Sequence, residues 1–173
     1  VFNAAFIPSY TEASLNNAAD GKKFADDVLN LLIIILLGIV FLVEIFTPAM
    51  VYLIAPGFYE DVKKFDLAVE LTRITFPFLF FVSLSSFFAG ILNTNNKFAA
   101  AAAAPIILNI FLILSLLISY FFDLNFGLNL SYAVTLAGLF QLLFLIFFTK
   151  YYYTPSIYFK VRINSKIKFF FKK

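Results

Sequence analysis

The chain has 173 residues, of which 62% are hydrophobic, 13% are charged and 26 are Phe. Soluble domains carry ~45–50% apolar and ~25% charged residues, and one of this size buries only ~70% of its surface, so a water-soluble globule and a disordered chain are both excluded. There is no Cys and no His, which removes disulfides, thiolate chemistry and the commonest general base and metal ligand; an enzyme is disfavoured, and no catalytic residue, metal or cofactor is expected.

Residues 2–18 place Phe2, Ala5, Phe6 and Tyr10 at helical spacing around Pro8. They read as the last turns of a truncated helix leaving a membrane. Asn16, Asn17, Asp20 and Gly21 then read as a turn, so that residues 1–21 form a helix end plus a turn. Residues 22–150 are expected to hold four transmembrane spans, at about 24–55, 67–93, 98–122 and 128–149. Asp26 and Asp27 suit the N-terminus of the first, where the helix dipole favours negative charge. The apolar run 28–55 exceeds the ~20 residues needed to cross, so this span is expected to tilt, to kink near Pro48 or to lie partly in the interface. Pro56 and Gly57 stop it, and 59–66 (YEDVKKFD) is a polar loop. The second span has an uncharged part of 19 residues, 74–92, and 93–97 (NTNNK) is a turn. In the third span, alanines 99–104 lead into Pro105, and 123–127 turns the chain into the fourth. Barrel strands would be ~10 residues long and alternating, unlike these runs. The fold class is therefore all-α, a polytopic transmembrane helix bundle. Residues 151–173 are a basic linker or tail, suited to anionic lipid or to leading into another span. Val1 is not an initiator Met and no signal peptide opens the chain, so the sequence is expected to be a fragment.

The net charge of +3 resides in residues 150–173, which hold seven Lys/Arg and no acid; elsewhere six basic residues face ten acidic ones. Four spans put both ends on one side. Lys22, Lys23, Lys97 and the tail place ten basic residues there, against Lys63, Lys64 and Arg73 on the other side. The bias of Lys/Arg toward the inside predicts cytoplasmic ends, with loops 56–66 and 123–127 outside. Aromatics in long apolar runs, not between charges on a polar surface, speak against nucleic-acid binding; membrane lipid is the expected partner.

Few residues inside the spans are polar. Glu44 is the one carboxyl deep in a span, where a charge costs at least ~2.5–3.5 kcal/mol. It reads as a proton or cation site, or as a neutral group bonded to another helix or reaching the interface. Arg73 follows Glu70 by three residues and precedes Pro77; it reads as half of an i, i+3 ion pair or as a cation facing a cavity open to phosphate. Ser83, Ser86, Gly90 and Asn93 form a small and polar stripe, suited to close helix packing or to lining a transport path. Asn109 and Gln141 suit interhelical hydrogen bonds.

Several short stretches, taken in order, resemble one family. They are Phe2-Asn3-Ala4-Ala5-Phe6-Ile7-Pro8, Ala55-Pro56-Gly57-Phe58, Arg73-Ile74-Thr75-Phe76-Pro77-Phe78, Gly90-Ile91-Leu92-Asn93, Lys97-Phe98 and Ala104-Pro105-Ile106-Ile107-Leu108-Asn109. Their order and spacing over residues 1–145 resemble the MurJ (MviN) family of lipid II flippases. The resemblance implies part of the N-lobe of a fold like that of the multidrug and oligosaccharide-lipid exporters, from the end of helix 2 through helix 6. It implies a bacterial cytoplasmic (inner) membrane location, with lipid II, linked to undecaprenyl pyrophosphate, as substrate and alternating access as mechanism. Pro8, Pro56, Gly57, Pro77, Gly90, Pro105 and Asn109 are then structural positions of the family motifs, and Arg73, Ser83, Ser86, Asn93 and Glu44 candidates for the substrate path. The family's essential arginines fall outside this chain, which alone is expected not to transport. Two alternatives stand beside this reading: a related exporter of drugs or of another polyprenyl-linked oligosaccharide, and a membrane anchor without transport.

Overall fold

A computed structural model describes residues 2–158, which form helices, the short connections between them and a segment that follows the last helix. Residues 159–173 of the expected basic tail lie outside the described residues. The helices are α1 (Phe2–Asn16), α2 (Ala18–Ile54), a 3-10 helix (Pro56–Glu60), α3 (Val62–Thr75), α4 (Phe78–Thr94), α5 (Phe98–Phe121) and α6 (Phe126–Thr149).

Local chemistry sets most of these boundaries. Only Asn17 separates α1 from α2, and its Oδ1 accepts from the amide of Ala19 at 3.0 Å, as Asn does at a helix start. The turn expected over 16–21 is therefore a single residue. Asp26 and Asp27 are not at the N-terminus of α2 but two turns inside it. Gly21 is likewise a helical residue: a Cβ there would lie 2.2 Å from Ser14 Oγ and 3.0 Å from Ser14 Cα, so it lets α1 and α2 cross closely.

The helix α2 runs on through Pro48 to Ile54. Pro48 has no amide to offer the Glu44 carbonyl, and the Thr47 hydroxyl donates to Val43 O at 2.6 Å and to Glu44 O at 3.3 Å. Ala55 leaves the helical region (φ −134°, ψ 65°) because Pro56 follows it. The polar stretch expected to be a loop is the 3-10 helix and the first turns of α3, with Asp61 Oδ1 capping the amides of Lys63 and Lys64 at 3.2 and 3.3 Å. The second long apolar stretch divides at Phe76 and Pro77. There the Thr135 hydroxyl of α6 donates to the Ile74 carbonyl. Both α4 and α5 end on a left-handed residue, Asn96 (φ 57°) and Asp123 (φ 51°), followed by 6→1 bonds from Lys97 N to Leu92 O (2.9 Å) and from Leu124 N to Ser119 O (3.0 Å), as in Schellman ends.

The chain divides into two compact units whose boundaries fall inside helices. One holds the chain up to Leu36, Ser83–Ala104 and the chain from Leu142 onward; the other holds Leu37–Val82 and Pro105–Gln141. The first is centred on aromatic rings. Phe6 is fully buried and meets Tyr10, Phe24 and Phe87 with ring centroids 5.5, 6.2 and 5.0 Å apart, and Gly90 would place a Cβ 2.9 Å from the Phe6 ring and 2.8 Å from Asn3 Oδ1. In the second, a Cβ at Gly138 would lie 2.6 Å from the Phe78 ring, Phe111 stacks obliquely on Phe140 at 5.1 Å, and Asn129 Nδ2 donates to Ser119 Oγ at 2.9 Å.

Candidate functional site

The densest polar geometry lies where the first unit's α2 meets the segment following α6. Asp26 is only 5% exposed. A carboxylate so buried is tolerated only if its oxygens are paired. Lys22 Nζ reaches its Oδ2 at 2.7 Å, one helical turn away. The Tyr153 hydroxyl donates to its Oδ1 at 2.6 Å and the Ser156 amide to the same oxygen at 2.9 Å. Asn30, on the same helix face, is 2% exposed. Its amide nitrogen donates to Asp26 O at 2.7 Å and to Ser156 O at 2.8 Å, and its Oδ1 accepts from the Tyr158 amide at 2.8 Å. The Tyr158 hydroxyl donates to Asp27, and Lys22 also reaches Ser156 Oγ at 2.6 Å. Tyr153 is buried, its ring edge-on to Phe87 at 5.9 Å.

Burial raises the Tyr153 phenol above its ordinary range, and the hydrogen bond to Asp26 raises it further. Burial and then the bond to Asp27 do the same for Tyr158. Both stay protonated donors at neutral pH. Beside this clasp, a cavity of about 480 Å³ is lined by Tyr10, Thr11, Ser14, Lys22, Asn95 and Lys150, among others. Its ammonium groups and hydroxyls suit an anion, although Lys22 is already engaged with Asp26. Among the described residues no cluster of His, Cys, Asp or Glu could hold a metal.

The residues singled out from the sequence are divided between the two units. Glu44 is half-buried in α2 of the second unit, and its Oε1 is buried without a hydrogen-bond partner. Arg73 is exposed near the end of α3 and forms no ion pair with Glu70; the ion pairs among the described residues are Lys22–Asp26 and Lys64–Asp61. Ser83, Ser86 and Asn93 are half-buried along α4 in the first unit, with Gly90 buried against α1. Asn109 is exposed on α5 and makes no bond to another helix within the described residues, whereas Gln141 is buried. Pro8 and Pro105 are exposed inside α1 and α5. Pro56 and Gly57 are exposed in the 3-10 helix, where a Cβ at Gly57 would meet open space; Pro77 is half-buried at the α3–α4 break. Sequence reasoning missed the clasp. Its available signal was Asp26, Asp27 and Asn30 at i, i+1, i+4 beside a long apolar run, a polar helix face asking for partners.

Four helical stretches, Ala18–Ile54, Val62–Thr94, Phe98–Phe121 and Phe126–Thr149, are long and apolar enough to cross a membrane, and their walls leave Phe41 (66% exposed), Ile113 (58%) and Phe121 (74%) open. Such apolar surface matches hydrocarbon rather than water, and it defines a polytopic helical membrane protein. A family model described as "Lipid II flippase MurJ" matches residues 1–173. The chain belongs to the MurJ family. Relatives include a "Probable lipid II flippase MurJ" of Rhizobium tropici, 40% identical over 82% of this chain and 27% of the relative. One of Rickettsia prowazekii is 40% identical over 83% of this chain and 28% of its own length, and one of Aquifex aeolicus is 33% identical over 99% of the chain and 33% of the relative. The chain thus spans about a quarter to a third of the length of the curated relatives it matches. The family is one of transporters and not of enzymes, in line with the expectation from composition. Family and helices together assign a multi-pass location in the inner membrane, in contact with membrane lipid.

Proposed function

We propose that the full-length gene product moves lipid II, the lipid-linked peptidoglycan precursor, from the inner to the outer leaflet of the cytoplasmic membrane by alternating access. The observation carrying this reading is the match to the flippase family along the whole chain, supported by four membrane-length apolar helices. In this reading the chain supplies part of the N-lobe of an exporter-like fold. The helix ending at Asn16 closes one crossing, and Ala18–Thr149 hold four more. The Lys/Arg-rich ends face the cytoplasm. Rocking against an opposing lobe is the usual basis of alternating access, so the residues here act within a larger cycle. Ser83, Ser86 and Asn93 line the substrate path, Arg73 meets phosphate, and Glu44, whose carboxyl oxygen lacks a partner, takes a proton or cation. Neither a drug or oligosaccharide exporter nor a simple anchor has a comparable observation in its favour.

Complementation tests the reading. A bacterium depleted of its own flippase and expressing the full-length gene product is expected to grow and to present lipid II on the outer leaflet. Stable expression in the membrane, with lipid II still accumulating on the inner leaflet, would remove the assignment.

A further inference from the structure

We propose that Asp26, Asp27 and Asn30 are positioning residues that strap residues 153–158 to α2, so that this segment moves with the first unit as one body. The strap itself stands on geometry alone; its consequence for transport rests on the flippase reading.

The basic tail was expected to be a linker or a lipid-binding surface. A linker leaves its amides to water. Here the amides of Ser156 and Tyr158, two residues apart and so on one side of an extended segment, donate to Asp26 and Asn30 at 2.9 and 2.8 Å. The Ser156 carbonyl between them is taken by Asn30 at 2.8 Å. The side chains of one helix face thus replace a neighbouring strand. Pro155 fixes one φ of the segment and has no amide to satisfy. At one end Tyr153 buries its ring on Phe87 and spends its hydroxyl on Asp26; at the other, the Tyr158 hydroxyl goes to Asp27. Dependence runs both ways. Without the segment, Asp26 would keep Lys22 and lose the Tyr153 hydroxyl and the Ser156 amide. Two acids and an amide on one face of α2 are accounted for together by one ligand, the chain's own residues 153–158.

Two readouts on the full-length protein test the proposal, exchange in lipid nanodiscs and transport in sealed proteoliposomes. Hydrogen exchange reads the strap directly: in the wild type the Ser156 and Tyr158 amides are protected, and Asp26→Ala or Asn30→Ala speeds exchange at its partner amide by about tenfold or more. Protection unchanged in both variants would overturn the strap, whatever the protein transports. The second readout is transport. Lys23 and Ser156 line one cavity of about 500 Å³ beside the strap, and this chain holds no cysteine. Lys23→Cys with Ser156→Cys, bridged by a short bifunctional thiol reagent, holds the strap shut. Transport is expected to persist in the bridged protein, to be lost in the Asp26→Ala/Asn30→Ala variant, and to be restored when the bridge is added to that variant. Loss of transport on bridging an otherwise native strap would mean that it must open, and would overturn the proposal. Failure of bridging to rescue the released variant would overturn its positioning role. If the unaltered protein moves no lipid II, the flippase reading fails while the exchange result still decides the strap.

Discussion

The two units are held by different forces. In the first, named donors meet named acceptors across more than a hundred residues of sequence, from Lys22 to Ser156 and from Asp26 to Tyr153, around a cluster of buried rings. In the second, few side-chain hydrogen bonds join different helices, Thr135 to Ile74 and Asn129 to Ser119. Much of its helical surface, including Phe41, Leu42, Ile45 and Phe46, is exposed and apolar. In hydrocarbon there is no hydrophobic drive between helices, so close packing and a few polar contacts hold them. Where water is at hand, charge-assisted bonds and buried aromatics can lock an element in place. The contrast gives the first unit the character of a fixed platform and the second that of a lipid-facing wall.

Substitutions sharpen this comparison. The largest effect is expected in the first unit. Asp26→Ala removes the acceptor of Tyr153, Ser156 and Lys22; the Lys22 ammonium is open to water, so the expected cost is that of unpairing the Tyr153 hydroxyl and the Ser156 amide, about 3 kcal/mol, read as a lowered melting temperature of the nanodisc-embedded protein. Gly21→Leu comes next. Even its Cβ would fall 2.2 Å from Ser14 Oγ and 3.0 Å from Ser14 Cα, and overpacking of this kind costs ~1–3 kcal/mol or more. An unchanged melt would show that α1 and α2 do not cross there. Thr135→Val in the second unit should cost only ~0.6 kcal/mol, the average for a hydrogen bond between membrane helices. If it matched Asp26→Ala, the contrast between the units would be wrong. Gly57→Ala, in open space, should shift stability by less than ~0.5 kcal/mol, although it lies within a family motif.

The pH response belongs to the same comparison. The phenols of Tyr153 and Tyr158 are raised in the folded state by burial and then by their carboxylate partners. A raised group contributes its full stability below its unfolded value, ~10 for Tyr, and loses it as pH climbs through the folded value. The phenols should therefore leave the melting temperature flat from about pH 7 to 9 and weaken the strap only in stronger alkali. Phe substitution at either tyrosine should remove its own share of that alkaline component, and the double substitution all of it, with nothing lost at neutral pH beyond the hydrogen bonds.

What was legible in the sequence was what the backbone decides locally. Pro56 ends α2 through its effect on Ala55, and Asn96 and Asp123 take left-handed positions in the expected turns, whereas the break at Pro77 falls inside a span that reads as continuous over 67–93. Apolar run length gave the membrane-length helices because one solvent dictates one composition. Local signals misled where a distant partner decides. Gly21 resembles a turn residue until Ser14 stands against it. Asp26 and Asp27 resemble helix-start charges until Tyr153, Ser156 and Tyr158 arrive from far along the chain. Asn109 was assigned a bond between helices and instead faces outward, while Arg73 stands clear of the Glu70 that its spacing offered.

The account depends on the apolar helices crossing a bilayer with their basic ends on one side. Single cysteines at Asp61, Asn95, Asn125 and Ser156 in a cysteine-free full-length protein, labelled in intact cells by a membrane-impermeant maleimide, test this most directly. Positions 61 and 125 are predicted to react from outside, and positions 95 and 156 only after the membrane is opened. Reaction of 95 and 125 from the same face would contradict the four crossings and the reading built on them.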